Sequence, residues 1–274
     1  MPNPNQTAVV HTAYDEEPPH PGDQWTRFVC VSDTHGRKFS AIPSGDVLLH
    51  AGDLSSWGYT KHLRPTLDWL KSLPHPIKPL SAKPVLSIIA GNHDVRFACP
   101  KSVVSRHGER TSWSRRCHAL EVAQSVVLGN DAKEAGIIYL EHEACTITSH
   151  SERNWKIYGS PAAPEYAQGA FQYRTDAEAE EVHARIPEDT DILLTHTPPH
   201  KILDQTRKGI NAGCKRLAQR MTELHACRLH VFGHIHEATG AQVISDGAIN
   251  RVAVNAAMGS LGSDAKAIIV DLRN

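Results

Sequence analysis

The sequence predicts an α/β protein: a four-layer α/β/β/α sandwich in which two mixed sheets pack together and helices flank them. Two patterns lead there. In the first half, short apolar runs alternate with stretches of helical periodicity, the pattern of strands joined by crossover helices. In the second half, apolar runs follow one another across short polar breaks, the pattern of hairpins. A third observation concerns chemistry: five of the apolar runs end in Asp, Asn or His.

Residues 1–25 read as an irregular arm, since Pro18, Pro19 and Pro21 discourage regular structure. Tyr14 or Trp25 is placed to pin the arm to the body. Phe28–Val31, Val47–Leu49 and Val85–Ile89 are strand candidates. Between the last two, Leu63, Leu67 and Leu70 recur at helical spacing and mark an amphipathic crossover helix over Lys61–Leu73. A second helix is expected over Arg115–Leu128. Gly136–Leu140, Ala144–Thr148 and Trp155–Tyr158 read as consecutive antiparallel strands. Asp191–Leu194, Arg228–Phe232, Ala241–Ile244, Asn250–Val254 and Ala267–Val270 complete the strand set, with helices over Asp176–Arg185 and Ala212–Cys227. No repeat or linker divides residues 26–274, which read as one domain.

Composition excludes several classes. With 274 residues, 40% of them hydrophobic, the chain can bury a substantial core, so it is neither a disulfide miniprotein nor a charge-driven disordered chain. Lys plus Arg (29) balances Asp plus Glu (30), which argues against duplex nucleic acid as a partner. No run approaches 18 consecutive apolar residues, so no membrane span is expected. Residues 1–24 lack the apolar segment of a secretory signal. The six cysteines form no C-x-x-C pair, and Cys30 and Cys145 fall on or beside strand-like runs as small hydrophobes. Thiols without an export signal point to the cytoplasm.

The chemistry follows the strand ends. Val29-Cys30-Val31 leads into Ser32-Asp33-Thr34-His35, and Val47-Leu48-Leu49 into His50-Ala51-Gly52-Asp53. Ser87-Ile88-Ile89 leads into Ala90-Gly91-Asn92-His93-Asp94, and Ile192-Leu193-Leu194 into Thr195-His196-Thr197. Leu229-His230-Val231-Phe232 leads into Gly233-His234-Ile235-His236. Sites in α/β sheets form at the C-terminal strand edge. A donor set of carboxylate, amide and imidazole without thiolate suits Mn, Fe, Zn, Co or Ni and disfavours a structural thiolate zinc. Alternation lets Asp33 and His35 point one way from an extended segment, and likewise His234 and His236. Each motif alone is weak, since a D-x-H or H-x-H pair is more often incidental. Their joint order at five strand ends is what carries weight.

In that order D-x-H, G-D, G-N-H-D, a lone His and G-H-x-H resemble the signature of calcineurin-like metallophosphoesterases, over residues 27–272. Ile157–Pro161, Asp191–Pro199 and Arg228–Glu237 resemble the branch of metallophosphoesterase-domain proteins and class III cyclic-nucleotide phosphodiesterases. The resemblance implies two transition-metal ions, of Mn, Fe or Zn. One would be held by Asp33, His35, Asp53 and His236, the other by Asp53, Asn92, His196 and His234, with Asp53 bridging. A bridging hydroxide would attack phosphorus. His93 would stabilise the phosphoryl oxygen or protonate the leaving alkoxide, with Asp94 orienting its ring.

The implied function is hydrolysis of a small phosphodiester, including cyclic nucleotides. A phosphomonoesterase or phosphoprotein phosphatase is the rival within hydrolases. A non-catalytic protein of the same fold is the rival outside them, and it predicts missing ligands or a replaced His93. A metal-storage protein would use the 18 histidines, but the chain has no His run. His50 is balanced between supporting the site and filling the core. His200 reads as exposed, and Cys117, His118 and His225 as structural. Trp57, Tyr158 and Phe171 read as packing residues, with stacking on a base or aryl group as the alternative.

Overall fold

A computed structural model of the chain describes residues 6–73, 85–94, 122–166, 169–245, 250–259 and 265–274. Its strands, numbered in chain order, begin with β1 (Ala8–His11), β2 (Trp25–Val31), β3 (Val47–Ala51), β4 (Val85–Ile89) and β5 (Ile137–Tyr139). β6 (Glu143–Thr148), β7 (Asn154–Ser160), β10 (Ile192–Thr195), β11 (Leu229–Phe232), β12 (Gly240–Ser245), β13 (Asn250–Asn255) and β14 (Ile268–Arg273) follow. A small pair, β8 (Ala163–Pro164) and β9 (Gln172–Tyr173), stands apart. Helices are α1 (Thr60–Ser72), α2 (Asn130–Glu134), α3 (Asp176–Ala184) and α4 (Lys215–Met221). Residues 122–128 are also helical. The rest of the helix expected from Arg115 lies outside the described residues, as do Cys99, Cys117 and His118.

The first sheet has the order β1-β14-β2-β3-β4-β5 and the second β12-β13-β11-β10-β7-β6. β2, β3, β4 and β5 run parallel, while β14 and β1 join antiparallel. β7, β10, β11 and β13 are likewise parallel, with antiparallel β6 and β12 at the edges. Both sheets are mixed.

Period-two alternation builds the layers. On β2, Phe28 and Cys30 enter the core between the sheets, where they meet Trp155, Ile157, Leu194 and Val231. Val29 and Val31 face the other way, against Leu63, Leu67 and Leu70 of α1. On β10, Ile192 and Leu194 join the central core while Leu193 packs outward against Leu217 and Met221 of α4. Three apolar layers between four layers of structure result, as the sequence predicts. α3 starts on a capping box in which Thr175 accepts from the Glu178 N–H and Glu178 reaches back to the Thr175 N–H.

Three expectations need correction. The arm is not wholly irregular, because β1 pairs with β14 and extends the first sheet. A four-residue stretch gives little local signal, and its pairing partner β14 lies more than 250 residues on in the sequence. β5 is not antiparallel to β6: it runs parallel to β4 in the first sheet, and His142, at φ +56°, turns the chain into the second. The helix expected over Ala212–Cys227 spans only Lys215–Met221. Arg251 donates to the carbonyls of Met221, Leu224 and Cys227, tying down groups that a longer helix would use internally.

Among the described residues no helix is long and apolar enough to cross a membrane.

Candidate metal centre

The predicted site residues arrive from the C-terminal ends of β2, β3, β4, β10 and β11, where the parallel edges of the two sheets meet. Asp33 and Asp53 are almost fully buried (0% and 1% exposed), His196 is buried, and His35 and His236 are half-buried. Asp33 Oδ1 accepts from His236 Nε2 (3.0 Å), and His236 Nε2 lies 3.4 Å from His35 Nε2. Asp53 divides its oxygens: Oδ2 is 3.7 Å from His35 Nε2 and Oδ1 is 3.5 Å from His196 Nε2. Asn92 Oδ1 sits 2.9 Å from His196 Nε2. The His234 and His196 rings are 5.0 Å apart, centre to centre.

Donor atoms of Asp33, His35 and His236 lie within 4.8 Å of one another, and so do those of Asp33, Asp53 and His196. Five of the seven predicted ligands thus have clustered donor atoms, and the other two, Asn92 and His234, stand beside His196.

Backbone hydrogen bonds orient the imidazoles. His196 Nδ1–H donates to the Ala51 carbonyl (3.0 Å), which turns Nε2 inward. His50 accepts from the Gly52 N–H at Nδ1 (3.3 Å), so its Nε2–H donates to Thr34 Oγ1 (3.0 Å). His50, fully buried, thus ties the turn after β2 to the turn after β3. Burial pushes the His35 imidazole down to about 4, and burial with His196 alongside pushes His234 down to about 3. Neutral imidazole is the form that binds a cation.

Asp33 and Asp53 press against each other. Burial first, then the charges of Asp33 and Asp94, raise the Asp53 carboxyl well above its usual range. Burial also opposes ionisation of Asp33, but its bond to His236 and the surrounding imidazoles hold it low. No lysine or arginine pairs with either carboxylate among the described residues. Two adjacent buried carboxylates, with His35, His196 and His234 held toward the neutral form by burial, form a donor set that cations would relieve. The residues fit a pair of transition-metal ions.

The backbone is strained where the donors sit. Asp33, His35, Asp53 and His234 all have left-handed φ, at +55°, +50°, +54° and +67°. Such values are uncommon for non-glycine residues and cluster at functional sites. They also correct the alternation expected for Asp33 with His35: the side chains converge through turns. The Asp33 and His35 amides donate to Gly52 and Asp53 carbonyls, and His236 opens a 3₁₀ turn over His236–Ala238. Glycine is required beside these donors. A Cβ on Gly91 would lie 2.7 Å from His196 Cε1 and 2.5 Å from the Asp53 amide.

The family model for "Calcineurin-like phosphoesterase" matches residues 26–238. The chain belongs to that family. It is 34% identical over 250 residues to Metallophosphoesterase domain-containing protein 1 of Homo sapiens, covering 89% of this chain and 69% of that protein. It is 37% identical over 225 residues to the Probable rhamnogalacturonate lyase C of Emericella nidulans. That match covers 81% of this chain and 18% of the relative, so the chain spans under a fifth of the relative's length. A solved crystal structure superposes with a TM-score of 0.52 at 11% identity, covering 84% of this chain and 90% of that one, a likeness of fold alone. Calcineurin-like phosphoesterases typically hold a dinuclear metal site, and the geometry above offers one.

Within this member of the family, two neighbouring assignments read differently from expectation. His93 lies beside the donors: its N–H donates to Asp53 Oδ1 (2.9 Å) and its ring sits 4.9 Å from that of His35. Its Nδ1–H, however, donates to the Ser56 carbonyl (3.1 Å). Asp94 does not orient it. Both Asp94 oxygens are committed to the Leu54 N–H, the Gly91 N–H, and the N–H and hydroxyl of Ser55. Asp94 is a staple between the turns after β3 and β4. His200 is half-buried, with Nδ1 3.7 Å from Asp204. Sequence reasoning did not find the Ser56 carbonyl or Ser55, because backbone acceptors and small hydroxyls leave no motif.

Proposed function

We propose that the chain is a dinuclear metal-dependent phosphodiesterase that hydrolyses small phosphodiesters, a class that includes cyclic nucleotides. The observation that carries the metal-dependent reading is the division of Asp53, one oxygen toward His35 and the other toward His196. Asp33, His35, Asp53 and His236 would hold one ion, and Asp53, Asn92, His196 and His234 the other. When bound, such a pair supplies an activated water near neutral pH and clamps the attacking and leaving oxygens of an in-line displacement.

The chain's own residues do the rest. The Ser56 carbonyl accepts the Nδ1–H of His93 and fixes the ring, so the imidazolium, having taken its second proton from solvent at Nε2, delivers that proton to the departing alkoxide and returns to neutral imidazole. The His93 N–H holds Asp53 Oδ1 in place. Asp94 fixes the turn that carries Ser56. Water and a phosphodiester thus become a phosphomonoester and an alcohol.

Two considerations favour diesters over monoesters. One is the likeness of three stretches to the branch that contains cyclic-nucleotide phosphodiesterases. The other is charge. Described cations nearby are engaged elsewhere: Arg37 with the Gly259 carbonyl and the Phe39 ring, Lys61 over the Tyr59 ring, Arg207 with Glu237. A singly charged diester asks less of such a mouth than a dianionic monoester.

The test compares bis(p-nitrophenyl) phosphate with p-nitrophenyl phosphate, with Mn²⁺ and after chelation. Faster cleavage of the diester, abolished by chelation, is expected. Faster monoester cleavage would replace the reading with a phosphatase, and no turnover of either by the metal-loaded protein would end it.

A further inference from the structure

Trp57 departs from every other described tryptophan. Trp25, Trp69 and Trp155 are 6% exposed or less, whereas Trp57 is 55% exposed. A single exposed aromatic on a mobile loop would mean little, but this loop is bound on all sides. Leu54 and Ser55 donate to Asp94. The Gly58 N–H donates to Ser55 Oγ (2.6 Å). Ser56, the residue before Trp57, gives its hydroxyl to the His35 carbonyl (3.3 Å) and its carbonyl to His93 Nδ1. The loop backbone is thus held in place, and the indole it carries presents apolar surface to water.

Position supplies the second argument. The Trp57 and His93 rings are 6.2 Å apart, centre to centre. His93 Nε2 is the atom assigned to the leaving oxygen, so the organic group on that oxygen projects toward Trp57. Tyr166 is more exposed still, at 73%, but among the described exposed aromatics it is Trp57 whose ring stands beside His93, and three further aromatics are engaged elsewhere. Tyr158 is 2% exposed in the outer core of the second sheet, Phe171 packs on the outer core of the first, and Tyr59 is met by His62 and Lys61.

We propose that Trp57 is a stacking platform that selects phosphate esters carrying a flat aromatic group, a nucleobase or an aryl ring, on the ester oxygen. The proposal deepens the phosphoesterase reading and rests on it. Stacking of an aromatic group on an indole is worth about 1–3 kcal/mol, a sequence-tolerant preference that any π-face satisfies. Alkyl esters gain little of it.

The experiment is calorimetric binding of four probes to the metal-loaded protein and to its W57A and W57F variants: adenosine 5′-monophosphate, ribose 5-phosphate, phenyl phosphate and methyl phosphate. Each aromatic probe is compared with its partner that lacks the ring. In W57A the affinity ratio within each pair should fall by about ten- to a hundredfold, and W57F should keep most of it. A fall confined to the nucleotide pair identifies a nucleobase site; a fall confined to the phenyl pair identifies an aryl site. Unchanged ratios in W57A, with all four probes still binding, would overturn the platform and leave the phosphoesterase reading standing. A wild-type protein that binds none of the four would overturn the platform, and the phosphoesterase reading would then be decided by the diester cleavage assay above.

Discussion

Asp53 presents Oδ2 to His35 and Oδ1 to His196, so its replacement by alanine removes a donor from both halves of the centre at once. Metal analysis of Asp53→Ala should show both ions lost, with turnover reduced to background. Two bound metals with activity retained would sink the bridging role. His93 makes the opposite prediction, because it touches the centre through its backbone amide and keeps its ring for protons. His93→Ala should hold two metals per chain and lose roughly 10²–10⁴ in turnover. A kcat within a few-fold of wild type would remove it from the chemistry. At this scale the sequence was informative about which side chains gather, since Asp33, Asp53, Asn92 and the four histidines each follow an apolar run. It was silent about how they gather. Left-handed φ at Asp33, His35, Asp53 and His234 is set by bonds between turns distant in sequence, and no residue type announces it.

At the level of elements, the turns after β2, β3 and β4 behave as one body. The Asp33, His35 and Gly36 amides bond to the Gly52, Asp53 and Leu54 carbonyls, and Asp94 draws the third turn against the second. Asp94→Ala would leave the Leu54, Ser55 and Gly91 amides buried without acceptors, at about 1–3 kcal/mol each when nothing compensates. With water reaching some of the three, the variant should lose about 2–4 kcal/mol of stability, read as a lower denaturant midpoint. A wild-type midpoint would show that water or a shifted turn replaces the staple. Strands were legible where burial on both faces writes a continuous apolar run, as in β2, β3, β10 and β11. Short elements such as β8 and β9 escaped, since two residues carry no period. α4 was overread because the guanidinium that ends it, that of Arg251, comes from β13.

Across the whole molecule, Asp46 joins parts that the sequence separates. It accepts from the Arg27 amide of β2 (2.7 Å), lies 3.1 Å from His20 Nε2 of the arm, and 3.2 Å from His150 Nδ1 beyond β6. Burial resists its ionisation, but the bonds from His20 and the Arg27 amide, with the nearby His150 charge, hold the carboxyl below its usual range. A carboxylate depressed in the fold stabilises it above the unfolded value, about 3.9, and loses that contribution as pH falls through the folded value. Asp46→Asn should therefore unfold earlier than wild type in urea at pH 7, and the gap should shrink below about pH 4. A gap of equal size at pH 7 and pH 3 would refute the linkage.

The placement of β14 between β1 and β2 has a kinetic consequence. On a ribosome, β2 emerges early, yet its antiparallel neighbour is translated only after the whole second sheet. Until then one edge of β2 offers unpaired amides and carbonyls to any passing strand. The nascent chain thus carries an open template through most of its synthesis. The strand that shields it is made only after the whole second sheet, so aggregation during expression should be governed by the delay before β14 arrives.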